Sequence, residues 1–590
     1  MSRDFQGLPV FGTFGPNKRF SIDEGRIYFA LSLMLVLFSL SVIWFNKYPP
    51  QTDFPYHLVR FHMALHFWEA KYRFADRAVL SFFPTPYISA DYLAFLFGQF
   101  VSVLTAGKFI LMMYIVLMGY SLVYLSRVFD KVQNPFSLFG FLFVFNWNFN
   151  MGFIEFILGI PFFLLSLGYW WKHKEQFTPT RLVVLAVLVF FVYLSHPYTI
   201  CFLIFVLGIL SVYFGRKQPR VLLGMLAFVP SVALLLVALA RDVPSSGVEH
   251  FGAFAIVSLS RKLAEIFGKE LYFWSSYESW WDKRIVVIAG LVVVAASVAQ
   301  LVSRARDRQR MGLLVGMVAL FALYLVLPDH LVVPDAPFVA ERVLIFLALL
   351  AVFVPQTPRR AIVRLGVASL AFLLAATQIG LVFADYRKVN GEYADLDAAI
   401  KHIPDNKRLV FWSDKELSSI GNIPAIPHFG GYYYIERAGA QIPLSDLWDF
   451  LAPLRMVQLK DPPSANQGIA ATLTLGCDRA GEGGWLILLV DRKALSPVKN
   501  PEEYGCVHKA SYGKIAIYQA RNTVDPSRNA PAWFASPYDQ TEYWKRGFLE
   551  RYDYLLLYGS QTAAETLQMK GFDLVFSRNR AYLLKRASVR

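Results

Sequence analysis

The sequence predicts a polytopic α-helical membrane protein of about 11–13 spans, followed by a soluble α/β domain. First, 56% of its 590 residues are hydrophobic, 16% are aromatic and the mean hydropathy is +0.41. A soluble protein holds about 45–50% apolar residues. Second, long apolar runs recur from Arg26 to Tyr386 and then stop. Third, the basic residues cluster at the ends of those runs, where the positive-inside rule places them. The net charge of +15 is therefore a topology signal, and a nucleic-acid partner is excluded.

Residues 1–25 read as a cytoplasmic segment, since Lys18, Arg19 and Arg26 precede the first apolar run. The first run, Ile27–Phe45, lacks a small-residue cleavage site behind it, so it reads as a retained span rather than a signal peptide. Candidate spans follow at 26–46, 88–106, 107–128, 134–148, 150–171, 180–195, 197–214, 219–241, 284–303, 311–328, 340–355 and 361–384. Four basic clusters mark cytoplasmic loops: Lys172, Lys174 and Arg181; Arg216, Lys217 and Arg220; Arg304, Arg306, Arg308 and Arg310; Arg359, Arg360 and Arg364. They place loops 47–87, 242–282 and 329–339, and everything after 385, outside. An inside start and an outside end require an odd number of crossings, whereas the runs counted above number twelve. The surplus lies in 88–148, where Arg127 and Lys131 disagree with simple alternation. The domains expected are therefore 1–25, a membrane domain over 26–385 whose outer loop 47–87 carries interfacial helices, and an extracytoplasmic α/β domain over 386–590.

In that last domain Tyr393–Ile403 has a helical stripe of Leu396, Ile400 and Ile403. Short strands are expected at Arg408–Trp412, Trp485–Val490, Lys514–Gln519, Tyr554–Tyr558 and Phe572–Phe576, with Ala581–Lys585 closing a hairpin on the last. No GxGxxG, P-loop or zinc spacing occurs there. Cys201 is a packing residue of an apolar run. Cys477 and Cys506 read equally as a disulfide and as two reduced thiols.

Candidate chemistry gathers on the outer side. Asp53, His57, Arg60 and His62 follow the first span, and a helix from Pro55 places His57 and Arg60 on one face. Phe54, Leu58, Phe61 and Leu65 form an apolar stripe toward lipid. A carboxylate here can accept a proton from a hydroxyl; an amphipathic helix with solvated charges explains the same residues. Asp91 lies at the outer start of the next helix, as a helix-end acid or as a functional group at membrane depth. Asn146, Asn148 and Asn150 form a polar turn, and Glu155 stands one turn deeper. His196 precedes Pro197, which ends a helix. Arg342 has the planar fork suited to a phosphate, unless Glu341 merely pairs with it. Asp329, His330 and Asp335 have metal-ligand chemistry, but their spacing matches no metal motif. No cofactor is called for; a divalent metal is only weakly supported. Trp274, Tyr277, Trp280 and Trp281 read as an interfacial belt rather than a sugar-stacking surface.

With its outward acid loop, many spans and outer C-terminal domain, the chain resembles the GT-C superfamily of membrane glycosyltransferases. The resemblance covers roughly residues 20–385. It implies a donor sugar carried on a polyprenyl phosphate, a bilayer location in the inner (plasma) membrane and a glycan, lipid or protein acceptor. It puts a catalytic acid at Asp53, a second acid at Asp91 or Glu155, and donor-phosphate contacts at Arg342, His196, Arg60 and His57. The loop carries a lone Asp53 where some members have paired acids, so base catalysis and metal assistance both stay open. A transporter or flippase of a lipid-linked glycan, or a non-catalytic subunit of polysaccharide assembly, are the competing readings. The one-sided placement of ionisable groups favours chemistry over alternating access.

Overall fold

A computed structural model describes residues 22–76, 78–241, 252–257, 259–267, 280–302, 307–333, 336–403 and 405. Beyond these it describes 409–413, 425, 428–437, 454–456, 485–489, 506–512, 515–520, 554–558, 572–578 and 581–586. The chain is a polytopic α-helical membrane protein. Seven of its helices are long and apolar enough to cross a bilayer unaided.

The helices are α1 (Ile22–Trp44), α2 (Phe54–Leu65), α3 (Ser89–Gly98), α4 (Val103–Asp130), α5 (Trp147–Met151), α6 (Ile154–His173), α7 (Pro179–Ser195), α8 (Pro197–Gly215), α9 (Val229–Arg241), α10 (Leu259–Phe267), α11 (Trp280–Val302), α12 (Arg308–Val326), α13 (Arg342–Ala351), α14 (Ala361–Ile400) and α15 (Gly430–Glu436). Turns of 3-10 helix, Pro135–Phe143 and Pro219–Phe228, lead into α5 and α9.

One end of the bundle is basic and tied together by side chains. Arg310 pairs with Asp130 and donates to the Phe353 carbonyl, and Asn134 donates to the Pro355 carbonyl at 2.6 Å. Arg364 Nη2 meets Glu24 at 2.8 Å, and Arg308 donates to the Phe214 carbonyl at 3.1 Å. The four basic loops read from the sequence thus gather at one end. At the other end Lys108 Nζ donates to the Asn46 carbonyl at 2.5 Å, and Asn390 Nδ2 donates to the Tyr48 carbonyl at 2.8 Å.

These ties bear on α3, one of the candidate spans. α3 has ten residues, roughly 15 Å of a hydrocarbon core of about 30 Å. Its Asp91 meets Arg60 of α2, and its Gly98 packs on Leu65, so both its ends lie at the non-basic end. α3 does not cross. Besides the seven long helices, α7, α13 and the 284–300 part of α11 are shorter apolar helices among the described residues.

Two expectations are corrected. α2 does not lay its apolar stripe on lipid. Phe54, Leu58 and Phe61 are buried in protein, where Gly107 of α4 leaves room for Leu58 and Phe54. α14 runs unbroken for 40 residues, through the expected domain boundary at 386. The helix expected at 393–403 is its last part.

The strands are β1 (Ala78–Leu80), β2 (Gly252–Ile256), β3 (His330–Val333), β4 (Ala336–Pro337), β5 (Leu409–Ser413), β6 (Leu454–Met456), β7 (Trp485–Leu489), β8 (Cys506–Tyr512), β9 (Ile515–Ala520), β10 (Tyr554–Tyr558), β11 (Phe572–Arg578) and β12 (Ala581–Arg586). β5, β10, β12 and β11 form one sheet, in which β11 and β12 make the expected hairpin. β7, β8 and β9 extend a second sheet begun by β2, β3 and β4. β1 pairs with β6. Loops 47–87 and 242–282 are therefore joined by backbone pairing to strands from beyond residue 385, and loop 329–339 joins the second sheet through β2. Cys477 lies outside the described residues, as do most of loop 242–282 and Asp335.

Candidate active site

The site is built on the chain that turns from α1 into α2. Thr52 and Asp53 donate their backbone N–H groups to the carbonyls of Asn150 and Met151 at 3.1 and 3.0 Å, and Gln51 Nε2 donates to the Phe149 carbonyl at 2.5 Å. The receiving turn is α5, which Asn146 caps by accepting the Phe149 N–H at 3.2 Å. Gly152 closes it with φ +81°, and a Cβ there would stand 2.9 Å from the backbone nitrogens of Asp53 and Phe54. Only glycine combines that dihedral with that approach. The three-asparagine stretch is thus a structural turn, and what it holds is Asp53. Tyr386 Oη donates to Asn150 Oδ1 at 2.8 Å and locks the turn to α14.

Asp53 is 8% exposed. Its Oδ1 lies 3.6 Å from Nε2 of His428, just before α15, and the His428 ring stands over Tyr56 with centroids 4.1 Å apart. α15 is fastened there by Tyr48, Phe429 and Tyr432, and Gly431 lets it sit on the backbone of Pro55. His428 was not foreseen. Its only sequence signal is the Gly430-Gly431 pair before three tyrosines, which marks close packing but names no partner.

Behind Asp53, α2 turns its charges inward. Arg60 is 0% exposed; its Nε meets Asp91 Oδ1 at 2.8 Å and its Nη2 pairs with Glu155. His57 Nδ1 lies 3.7 Å from Glu155 Oε2. Asp91 caps no helix; it faces Arg60. Two acids and one arginine form a buried triad in which the Arg60 charge is answered on two sides. Burial lowers the His57 imidazole to about 4; Glu155 draws it back up and Arg60 adds to the fall, so it is neutral near pH 7. Burial also holds Asp91 well above the carboxylate range, against the pull of Arg60.

Arg342 is arranged differently. It is 7% exposed, and its guanidinium stacks on Phe153, Tyr198 and Phe156 at 4.6, 5.2 and 5.4 Å. Among the described residues no carboxylate lies within 4 Å of it, and its Nε has no hydrogen-bond partner. Its Nη1 lies 3.0 Å from His196 Nε2, while the backbone N–H of Tyr198 points at His196 Nδ1 from 3.2 Å. A guanidinium and a backbone N–H only donate, and a neutral imidazole has one accepting nitrogen. The pocket is therefore one acceptor short. Burial, reinforced by Arg342, keeps His196 well below its ordinary value, so the ring stays neutral and keeps its single acceptor.

Tyr87 joins the two halves. Its ring lies over Arg60 at 5.6 Å and edge-on to His196 at 5.5 Å. Its φ of 76° is a left-handed conformation rare for a tyrosine. Its phenol is raised first by burial, then by Glu155, with Arg60, Asp53 and Arg342 also acting on it. The seven residues singled out from the sequence thus fall in one contiguous region. Asp329 is not part of it: its carboxylate meets Lys262 at 3.4 Å and the Val257 N–H at 2.8 Å. Among the described residues no group of three or more His, Cys, Asp or Glu side chains is placed to hold a metal.

No protein-family model matches the chain, and no curated protein matches it. Among solved structures it is similar to the crystal structure of ArnT from Cupriavidus metallidurans bound to undecaprenyl phosphate, with 11% identity, a TM-score of 0.46, and coverage of 97% of this chain and 99% of that one.

Proposed function

We propose that the chain is a membrane glycosyltransferase. It moves a sugar from a polyprenyl-phosphate-linked donor to a hydroxyl of a glycan, lipid or protein acceptor. The observation that carries this reading is the missing acceptor at Arg342. A buried cation without a carboxylate, beside an imidazole already committed to another donor, is suited to an anionic oxygen. A phosphate supplies such oxygens, and the membrane rim is where a lipid-borne phosphate resides.

Asp53 acts as the base. It takes the proton of the acceptor hydroxyl as that oxygen attacks the anomeric carbon. The bond from that carbon to the phosphate oxygen breaks, and the phosphate leaves with its charge held by Arg342. One base and one leaving-group clamp suffice for a single displacement with inversion. Asp91 and Glu155, engaged with Arg60, hold α2 and His57 in place rather than meeting the acceptor. The basic end of the bundle faces the cytoplasm, so the site and the segments beyond 385 face outward.

The test is transfer in nanodiscs, read as release of polyprenyl phosphate in the presence of membrane acceptors. Asp53→Asn should lower the rate by about 10²–10⁴-fold without changing the melting temperature. An Asn variant with unaltered turnover would remove Asp53 as the base, and no release of polyprenyl phosphate by the unaltered chain would sink the proposal.

A further inference from the structure

A cavity lies on the far side of α2. It has a volume of about 280 Å³ and sits where the end of α2 and the loop after it meet α15. That is just under the roughly 300–1,000 Å³ of small-molecule sites. His62 lines it from α2. Two residues beyond Arg60 is roughly 200° around a helix, so His62 turns away from the charged triad. It stands nine positions from Asp53, roughly 13 Å along the axis.

The lining is polar and already charge-balanced. Lys71 meets Glu69 at 2.9 Å, and Arg437 meets Asp405 at 3.9 Å and donates to the Ile403 carbonyl at 3.1 Å. Glu436 receives the Tyr48 hydroxyl at 3.5 Å. Two cations and two acids on the wall leave no net charge to select an ion. What is unanswered is His62 Nε2: the residue is 4% exposed, and that nitrogen has no hydrogen-bond partner. Tyr72 and Tyr434 add phenols and ring surface. A neutral group that both donates and accepts, with a flat apolar side to set against a ring, fits such a wall. That is the chemistry of a sugar.

We propose that this cavity binds a neutral saccharide. It lies across α2 from Asp53, and binding there needs neither Asp53 nor turnover.

The test is saturation-transfer NMR on the full chain in nanodiscs, with methyl α-glucoside, methyl β-galactoside and methyl α-mannoside as probes. At least one should receive saturation on its ring protons, and inorganic phosphate should not displace it. His62→Ala should weaken binding about tenfold. Because His62 is buried, Lys71→Ala at an exposed position is the second variant, with a loss of about threefold. Asp53→Asn should bind the glycoside as the unaltered chain does. Absence of binding by all three glycosides, displacement by phosphate, or equal binding in both cavity variants overturns the assignment. Turnover by Asp53→Asn would instead remove Asp53 as the base, and no turnover by the unaltered chain would remove the transferase reading; either leaves a measured saccharide site standing.

Discussion

Asp53 Oδ1 and His428 Nε2 face each other at 3.6 Å across the junction of the helical bundle and α15. The acid comes from the first loop and the imidazole from beyond the last span. The imidazole restricts where the carboxylate points, and the Tyr56 ring beneath it restricts the imidazole. His428→Ala should therefore lower transfer by about ten- to a hundredfold through misplacement of Asp53, with His428→Gln recovering part of the loss. Steady-state kinetics should show the change in kcat rather than in KM for the donor.

Arg342→Gln removes a buried cation that has no carboxylate within 4 Å among the described residues. Binding of a polyprenyl phosphate should weaken by about 1.5–3 kcal/mol, the range for a hydrogen bond to a charged group. Because the site is buried, the loss should persist at high salt. Direct binding to the purified chain at low and at high ionic strength checks both points.

Arg60→Met leaves Asp91 and Glu155 facing each other in the interior. Breaking a buried charge set by removing one member costs about 3–5 kcal/mol. The melting temperature in detergent should fall sharply. The triple variant Arg60→Met, Asp91→Asn, Glu155→Gln should recover most of it, as it leaves no buried charge unanswered.

Gly152→Ala tests how Asp53 is held. The new Cβ meets the Asp53 and Phe54 nitrogens at 2.9 Å on a backbone with φ +81°. Stability should fall by about 1 kcal/mol or more. Transfer should fall further than stability explains, because the atoms displaced are those that carry the candidate base.

Acid should destabilise the fold through its histidines. His57 and His428 sit near 4, below the 6.5 of a free imidazole, His57 by burial first and His428 by burial and the field of His57. Between about pH 6.5 and 4 the unfolded chain takes up protons that the fold refuses. Stability is thus full above 6.5 and declines as pH falls toward 4, by roughly 3 kcal/mol for the fully buried His57. Asp91, raised by burial, works in the opposite sense. Melting curves across this range should slope, and His57→Gln should flatten them.

The helices were legible because apolar runs and basic ends follow directly from the bilayer. The place of α3 was not, since it is apolar enough to resemble a crossing and only its contacts with Arg60 and Leu65 show that it stays at one end. The site residues were legible one by one, as ionisable groups next to spans. Their partnerships were not: Arg60 finds Asp91 and Glu155 at 31 and 95 positions away. Glu155 therefore read as a candidate acid, when what it touches is an arginine. His428 was invisible because a histidine among glycines and tyrosines carries no mark of the carboxylate that it faces.

α14 carries one further consequence. Its 40 residues make roughly 60 Å of rod, about twice the hydrocarbon thickness. The same rod holds Arg364 against Glu24 at one end and touches Asn150, Tyr48 and, through Tyr393, α15 at the other. It acts as a camshaft. Inserting a single residue near Ala375 would turn everything above it by about 100° and lift it by about 1.5 Å. Tyr386 would leave Asn150 and Asn390 would leave Tyr48, so the active end would fall out of phase with no residue in it changed.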